Sequence, residues 1–198
     1  PDSITKPFSV ITADELNASG ASTIGEALRY QPGVSSTGFG PNSSRPIVRG
    51  QDSDRIKILR NSAATVDVSA LSFDHALPVD PFALHQIEIL RGPAALAYGG
   101  NAVGGVVNLV DQRIARKAVE GFQGEVNLLG GGAADQTAGG FKLDTGLGQG
   151  VSLHVDGFKR STRDLETPTF TDPEGVSGDR VRNSSSKSDG AAIGASFQ

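Results

Sequence analysis

The chain has 198 residues, room for one compact domain and a remnant, and its 18 Lys and Arg against 22 Asp and Glu give a net charge of −4 that excludes a large nucleic-acid footprint. It has no Cys, which excludes a disulfide scaffold, a Cys-ligated zinc finger and an iron–sulfur cluster, and no apolar run of the ~18 residues that a membrane-spanning helix needs. Glycine is 26 of 198 residues, well above the usual ~7%, and hydrophobic content is only 37%, which points to many turns, close backbone packing or a partner surface outside the chain.

The start lacks Met and an apolar leader, and so reads as a mature or trimmed chain. Phe8-Ser9-Val10-Ile11 is a short strand candidate. Thr12 precedes Glu15 by three residues, the capping-box spacing that opens a helix. Thr23 and Glu26 repeat it, with Ile24, Ala27 and Leu28 on one helical face and Pro32-Gly33 as the stop. A Gly-, Ser-, Asn- and Pro-rich loop from Ser35 to Pro46 follows. Ile47-Val48-Arg49-Gly50 reads as a strand ending in a turn, and Arg55 to Leu59 as a strand with Ile56 and Ile58 on one face. Residues 60–80 show no period and read as a long loop. Asp80-Pro81 is an N-cap followed by Pro at the first helical position. Gln86 to Leu90 is a strand, Pro93 to Tyr98 a short helix closed by Gly99-Gly100, and Val106 to Val110 a further strand.

The pattern changes near residue 120. Phe122 to Leu129, Gly139 to Leu147, Val151 to Val155 and Ala191 to Ala195 alternate apolar with polar or small residues. These segments predict antiparallel strands of about 9–11 residues, the length a tilted strand needs to cross a bilayer. Gly130 to Gln136 is a modest loop, Gly148-Gln149-Gly150 a tight turn, and Thr162 to Ser188 a long polar loop. Short turns alternating with long loops suit a transmembrane barrel, and the pattern equally describes a soluble antiparallel sheet.

The densest motif is Gln86 to Leu109. Its glycines lack the Lys-Ser/Thr of a phosphate loop, so they serve positive φ and close packing. No nucleophile–base pair, paired acidic site or H-E-x-x-H occurs, so the chain is not expected to be an enzyme. Histidine is scarce. Asp74 and His75 are adjacent in the long loop and offer a carboxylate and an imidazole to a cation. A closed zinc site takes four ligands.

The stretch from Glu88 resembles the plug signature of TonB-dependent outer-membrane receptors. Glu88, Arg91, Gly92, Pro93, Leu96, Tyr98, Gly99, Gly104, Gly105, Val106 and Asn108 carry the likeness. Upstream, Ile24-Gly25-Glu26-Ala27-Leu28 running into Gln31-Pro32-Gly33-Val34, and Ile47-Val48-Arg49-Gly50, extend it over residues 4–111. The resemblance implies an α+β plug domain, a small mixed sheet with short helices, over residues 1–119. Antiparallel transmembrane β-barrel strands follow over 120–198. It implies a barrel of about twenty-two strands, so the chain reads as a fragment carrying about four of them, with open edges that favour aggregation. It implies the outer membrane as location, its lipid as a neighbour, and energy from the inner-membrane TonB complex. No TonB box is evident, and Pro1 to Thr5 read as lying just after it. Arg49, Glu88, Arg91, Gly92, Pro93, Tyr98, Gly104 and Gly105 fall at plug–barrel structural positions. Arg55, Lys57 and Arg60 have the charge to meet an anionic ligand, or form a solvated or barrel-facing stripe.

Within that family the run from Arg45 to Leu109 is similar to the ZnuD-type zinc receptors. Pro46 to Gln51, Arg55 to Leu59, Ser72-x-Asp74-His75-Ala76, Val79-Asp80 and Glu88 to Pro93 carry this. The likeness implies zinc, as transported ligand and not as resident cofactor, captured at Asp74 and His75. Where those receptors have a His-His pair, this chain has Arg60-Asn61-Ser62. Asp67 and Arg60 are the further candidate ligand contacts. Ferric siderophore or haem is the alternative cargo, with His75 or Tyr98 as a haem ligand. A non-transporting surface or adhesion protein is the alternative of another class. An upstream TonB box would separate transport from that last role.

Overall fold

A computed structural model describes residues 8–38, 40, 43–65, 77–173 and 175–198. Two compact units are present, one of residues 8–38 and 43–112, the other of 113–198.

The first unit opens with β1 (Phe8–Thr12) and α1 (Ala13–Ser19). Both halves of the capping box form, the Glu15 amide donating to Thr12 Oγ1 and the Thr12 amide to the Glu15 carboxylate. Gly20 closes the helix in the left-handed region. In α2 (Ile24–Leu28) Thr23 accepts from the Glu26 amide, but the Glu26 carboxylate reaches Ser22 rather than Thr23. Thr23 Oγ1 is also hydrogen-bonded to Ser44, which ties the helix start to the next segment. Of the stretch expected as a loop from Ser35 to Pro46, the ends Ser35, Ser36 and Pro46 are in strands, since β2 (Val34–Ser36) pairs with β3 (Pro46–Val48). At its end Arg49 and Gly50 both take positive φ, 52° and 73°, the signature of a type I′ turn.

The main sheet adds β4 (Ile56–Arg60), β5 (Ala63–Ala64), β6 (Gln86–Leu90) and β7 (Gly105–Val110) in the order β1-β6-β7-β4-β5. It is mixed, because β4 and β7 run parallel while the other pairs are antiparallel. One face buries Ile11, Ile56, Ile58, Ile87, Ile89, Val107 and Leu109 with Leu16 of α1 and Ile24 and Leu28 of α2. The other gathers Leu59, Leu90, Val106, Ala95 and Ala102. β7 is central and buried on both faces. Pro81–Ala83, capped by Asp80, and Pro93–Tyr98 are 3₁₀ turns rather than α-helices.

The second unit is an antiparallel sheet of β8 (Phe122–Gly131), β9 (Gln136–Gly148), β10 (Val151–Thr162) and β13 (Ser186–Phe197), in the order β13-β10-β9-β8. The long polar loop carries structure of its own. β11 (Leu165–Thr171) and β12 (Ser177–Val181) form a hairpin, closed at its base by Asp164 accepting from the Ser184 and Ser185 amides. The Arg163 and Glu166 amides donate to the Ala134 and Ala133 carbonyls, so this hairpin and the β8–β9 turn share one end of the sheet. The two-residue β9–β10 turn lies at the other end. No helix among the described residues is long and apolar enough to cross a membrane.

Thr23→Ala is expected to destabilise the first unit by about 1–2 kcal/mol, the cost of an N-cap with a buried second partner. Thr23→Ser, which keeps the hydroxyl, is expected to cost much less. Urea unfolding of the full-length protein checks both.

Candidate functional site

The glycine-rich signature is explained by backbone approach. A Cβ on Gly104 would stand 2.6 Å from the Gln51 Cβ, and one on Gly105, whose φ is +145°, 2.7 Å from the Leu90 carbonyl oxygen. The Gly104 amide donates to the Arg55 carbonyl at 2.9 Å. β7 therefore enters the sheet between β4 and β6 only with glycine at both places. Gly92, at φ +80°, and Pro93 open the 3₁₀ turn that ends at Tyr98, which is half exposed.

Glu88 and Arg91 do not pair. Glu88 accepts from Gln86 Nε2 at 2.6 Å and Asn108 Nδ2 at 2.8 Å. Asn108 Oδ1 in turn accepts from the Ser62 amide at 2.8 Å. Glu88, Asn108, Ser62 and Tyr98 line a cavity of about 50 Å³ with Phe8 and Leu90. Arg91 is only 8% exposed, yet a single guanidinium nitrogen, Nη1, finds a partner, Ser9 Oγ at 2.8 Å. Its Nε and Nη2 are buried without one. Burial, and then the positive charge of Arg49, push the Arg91 guanidinium below its ordinary value. It stays charged all the same. Arg49 itself is exposed, its amide donating to the Gly33 carbonyl.

Arg60 is engaged. Its Nε and Nη2 reach Asp111 Oδ2 at 2.9 and 2.8 Å. Asn61 Nδ2 donates to Asp111 Oδ1 at 2.8 Å, and the Asp111 amide donates back to Asn61 Oδ1 at 3.2 Å. Asp111 thus clamps the end of β4 to the end of β7. Asp67, Asp74 and His75 lie outside the described residues. Among the described residues, no group of three or more His, Asp or Glu stands close enough to hold a metal ion.

The second unit has its amphipathicity inverted. One face presents Phe122, Val126, Leu128, Phe141, Leu153, Val155, Ile193 and Phe197, as the register requires. Phe122, Leu128 and Ile193 on it are 70%, 84% and 81% exposed. The other face carries Glu125, Lys142, Asp144, Ser152, His154, Asp156 and Arg160. An apolar face that stays exposed while charges turn inward is the pattern of a lipid-facing barrel wall.

The family described as TonB-dependent Receptor Plug Domain matches residues 1–106. The chain belongs to this family. It is 29% identical over 185 residues to the vitamin B12 transporter BtuB of Photobacterium profundum, covering 84% of this chain and 30% of that protein. To the ferrioxamine B receptor of Salmonella typhimurium it is 32% identical over 127 residues, covering 62% of this chain and 17% of that one. The siderophore receptor PirA from Acinetobacter baumannii superposes with a TM-score of 0.65 at 24% identity, over 81% of this chain and 25% of that one. The chain thus spans under a third of the length of these proteins. Its plug is the α+β unit with the mixed sheet. The strands after it are those of an outer-membrane barrel that this chain does not close, and the outer membrane is its location.

Asp111→Ala in this plug leaves the Asn61 amide and a half-buried Arg60 without their shared partner. A loss of about 1–3 kcal/mol is expected, with little of it from the exposed part of Arg60. The urea midpoint of the full-length receptor, beside that of Asp111→Asn, measures it.

Proposed function

We propose that this chain is the plug and opening barrel strands of a receptor that imports a bulky metal chelate, a corrinoid or a ferric siderophore, across the outer membrane. Energy comes from the inner-membrane TonB complex, and movement of the plug opens the path. No bond chemistry is required of the chain. The observation that carries the reading is the pairing, on one chain, of a signature-bearing plug with a strand sheet whose apolar face is exposed. The relatives named for vitamin B12 and ferrioxamine B supply the cargo class. Arg49, Glu88, Arg91 and the turn they flank serve docking of the plug against the wall. The unpaired Nε and Nη2 of Arg91 favour an anionic partner there, because a buried cation without one is costly.

A second reading is zinc as cargo, captured by Asp74 and His75. The adjacency of a carboxylate and an imidazole supports it, as does the likeness to ZnuD-type receptors. Imidazole and carboxylate suit Zn²⁺, but two donors leave a tetrahedral ion short, so other loops must supply the rest. An adhesion role without transport would need neither ligand nor coupling.

Calorimetry on the full-length receptor in detergent separates these readings. Cyanocobalamin, ferric ferrioxamine B and Zn²⁺ are titrated in turn into wild type and an Asp74→Ala/His75→Ala variant. Saturable binding of a chelate that survives the double substitution supports the first reading. Zinc binding that the double substitution abolishes supports the second. Silence toward all three overturns both.

Arg91→Met keeps the volume of the side chain and removes its charge. It is expected to loosen the plug and raise permeability of the outer membrane to bulky hydrophilic antibiotics several-fold. Unchanged permeability would mean that the guanidinium has no partner on the wall.

A further inference from the structure

Residues 113–119 lead from the last plug strand into β8, and they lie against the polar face of the strand sheet. Arg113 donates twice to Asp156, Nε to Oδ2 at 2.7 Å and Nη2 to Oδ1 at 2.8 Å. Asp156 is 2% exposed. Its Oδ2 also faces His154 Nε2 at 3.0 Å, and His154 Nδ1 faces Asp144 Oδ1 at 2.8 Å. Midway, the Ala115 carbonyl accepts from Gln198 Nε2 at 2.8 Å. At the far end the Val119 amide donates to Ser152 Oγ at 2.9 Å.

Two glycines complete this seat. A Cβ on Gly194 would stand 1.8 Å from the Arg113 carbonyl oxygen, and one on Gly146 1.9 Å from the Val119 carbonyl oxygen. Gly194 is directly opposite His154 on β13, and Gly146 directly opposite Ser152 on β9. The segment therefore crosses the sheet diagonally, from β13 over β10 to β9, in backbone contact at both ends. Flexible linkers are rich in Gly and Ser. Residues 113–119, Arg-Ile-Ala-Arg-Lys-Ala-Val, contain neither.

We infer that residues 113–119 are a wall-bound strap, with Arg113 and Asp156 as its lock, and that displacement of the plug stops there. Its meaning for transport rests on the plug-and-barrel reading above. A bidentate charge-assisted pair on a buried carboxylate opens reluctantly, because that carboxylate would lose its cation. The plug can then rearrange on the N-terminal side of Arg113 while its exit stays fixed to the first barrel strands.

Two measurements on the full-length receptor test the strap, and neither needs cargo or TonB. In hydrogen exchange the Val119 amide, which donates to Ser152, is expected to be protected in wild type. Arg113→Ala is expected to speed its exchange about tenfold or more, as release of the strap from its lock implies, while β9 and β10 stay protected. Because Arg113 lies on the strap and not in a strand, this variant leaves the sheet intact. Gly194→Val, which fills the seat, is expected to act likewise. In single-molecule pulling from the N-terminus of membrane-embedded receptor, Arg113→Ala is expected to add the seven residues 113–119. At ~3.3–3.6 Å each they come to about 24 Å of contour length. Rapid exchange of the Val119 amide in wild type overturns the strap, as does an unchanged final length in the variant. A receptor that binds no chelate yet shows both effects would retain the strap and lose the transport reading.

Discussion

In an outer-membrane barrel a sheet with Phe122, Leu128, Ile193 and Phe197 on one face and Lys142, Asp144, His154 and Asp156 on the other buries its apolar side in lipid, and its polar side must answer charge with charge. That constraint orders the rest of the chain. Glu125 faces Lys142 across β8 and β9, and His154 stands between two carboxylates. Arg113 brings a cation to Asp156 from outside the strands. Lys142 and Asp156, both turned inward, thus each face a charge of opposite sign, as a low-dielectric setting demands.

The plug's large apolar residues are spent on one face of the mixed sheet, against two helices of seven and five residues. The second face is only partly apolar. Glu88, Gln86 and Asn108 share it with Leu59, Leu90 and Val106. Compactness comes from approach of backbones, and Gly104 and Gly105 provide it where β7 inserts.

Local signals were legible in the sequence because they act over three or four residues. Thr12 with Glu15, Asp80 with Pro81, and the turn at Gly148 to Gly150 all form as spacing predicts. The wall strands follow from alternation, though they run to 12 or 13 residues in β9, β10 and β13. The hairpin of β11 and β12 was hidden. Its strands are polar, one contains Pro168, and neither face is apolar enough to show a period. The clamp of Arg60 and Asn61 on Asp111 joins residues about fifty apart, and no local pattern encodes it. His154 was visible as a scarce residue. Its part in the wall depends on register with Asp144, which alternation alone does not fix.

Register also settles when the strap can close. Gly194 lies on β13, and its seat exists only where that strand pairs with β10 across the hairpin between them. Gly146 belongs to β9, paired with β10 through a tight turn. The Val119 end of the segment can therefore dock on a local hairpin, whereas the Gly194 contact of the Arg113 end lies about eighty residues beyond Arg113 in the chain. Long-range pairing carries the larger closure entropy and comes at greater cost. The Gly194 seat at the plug end is thus tied to pairing of β13, whereas Asp156 of the lock already stands on the β9–β10 hairpin. A wall without β13 lacks the Gly194 seat, and a complete one holds the plug's exit through an ion pair on a buried carboxylate and two glycines that leave it no room to shift.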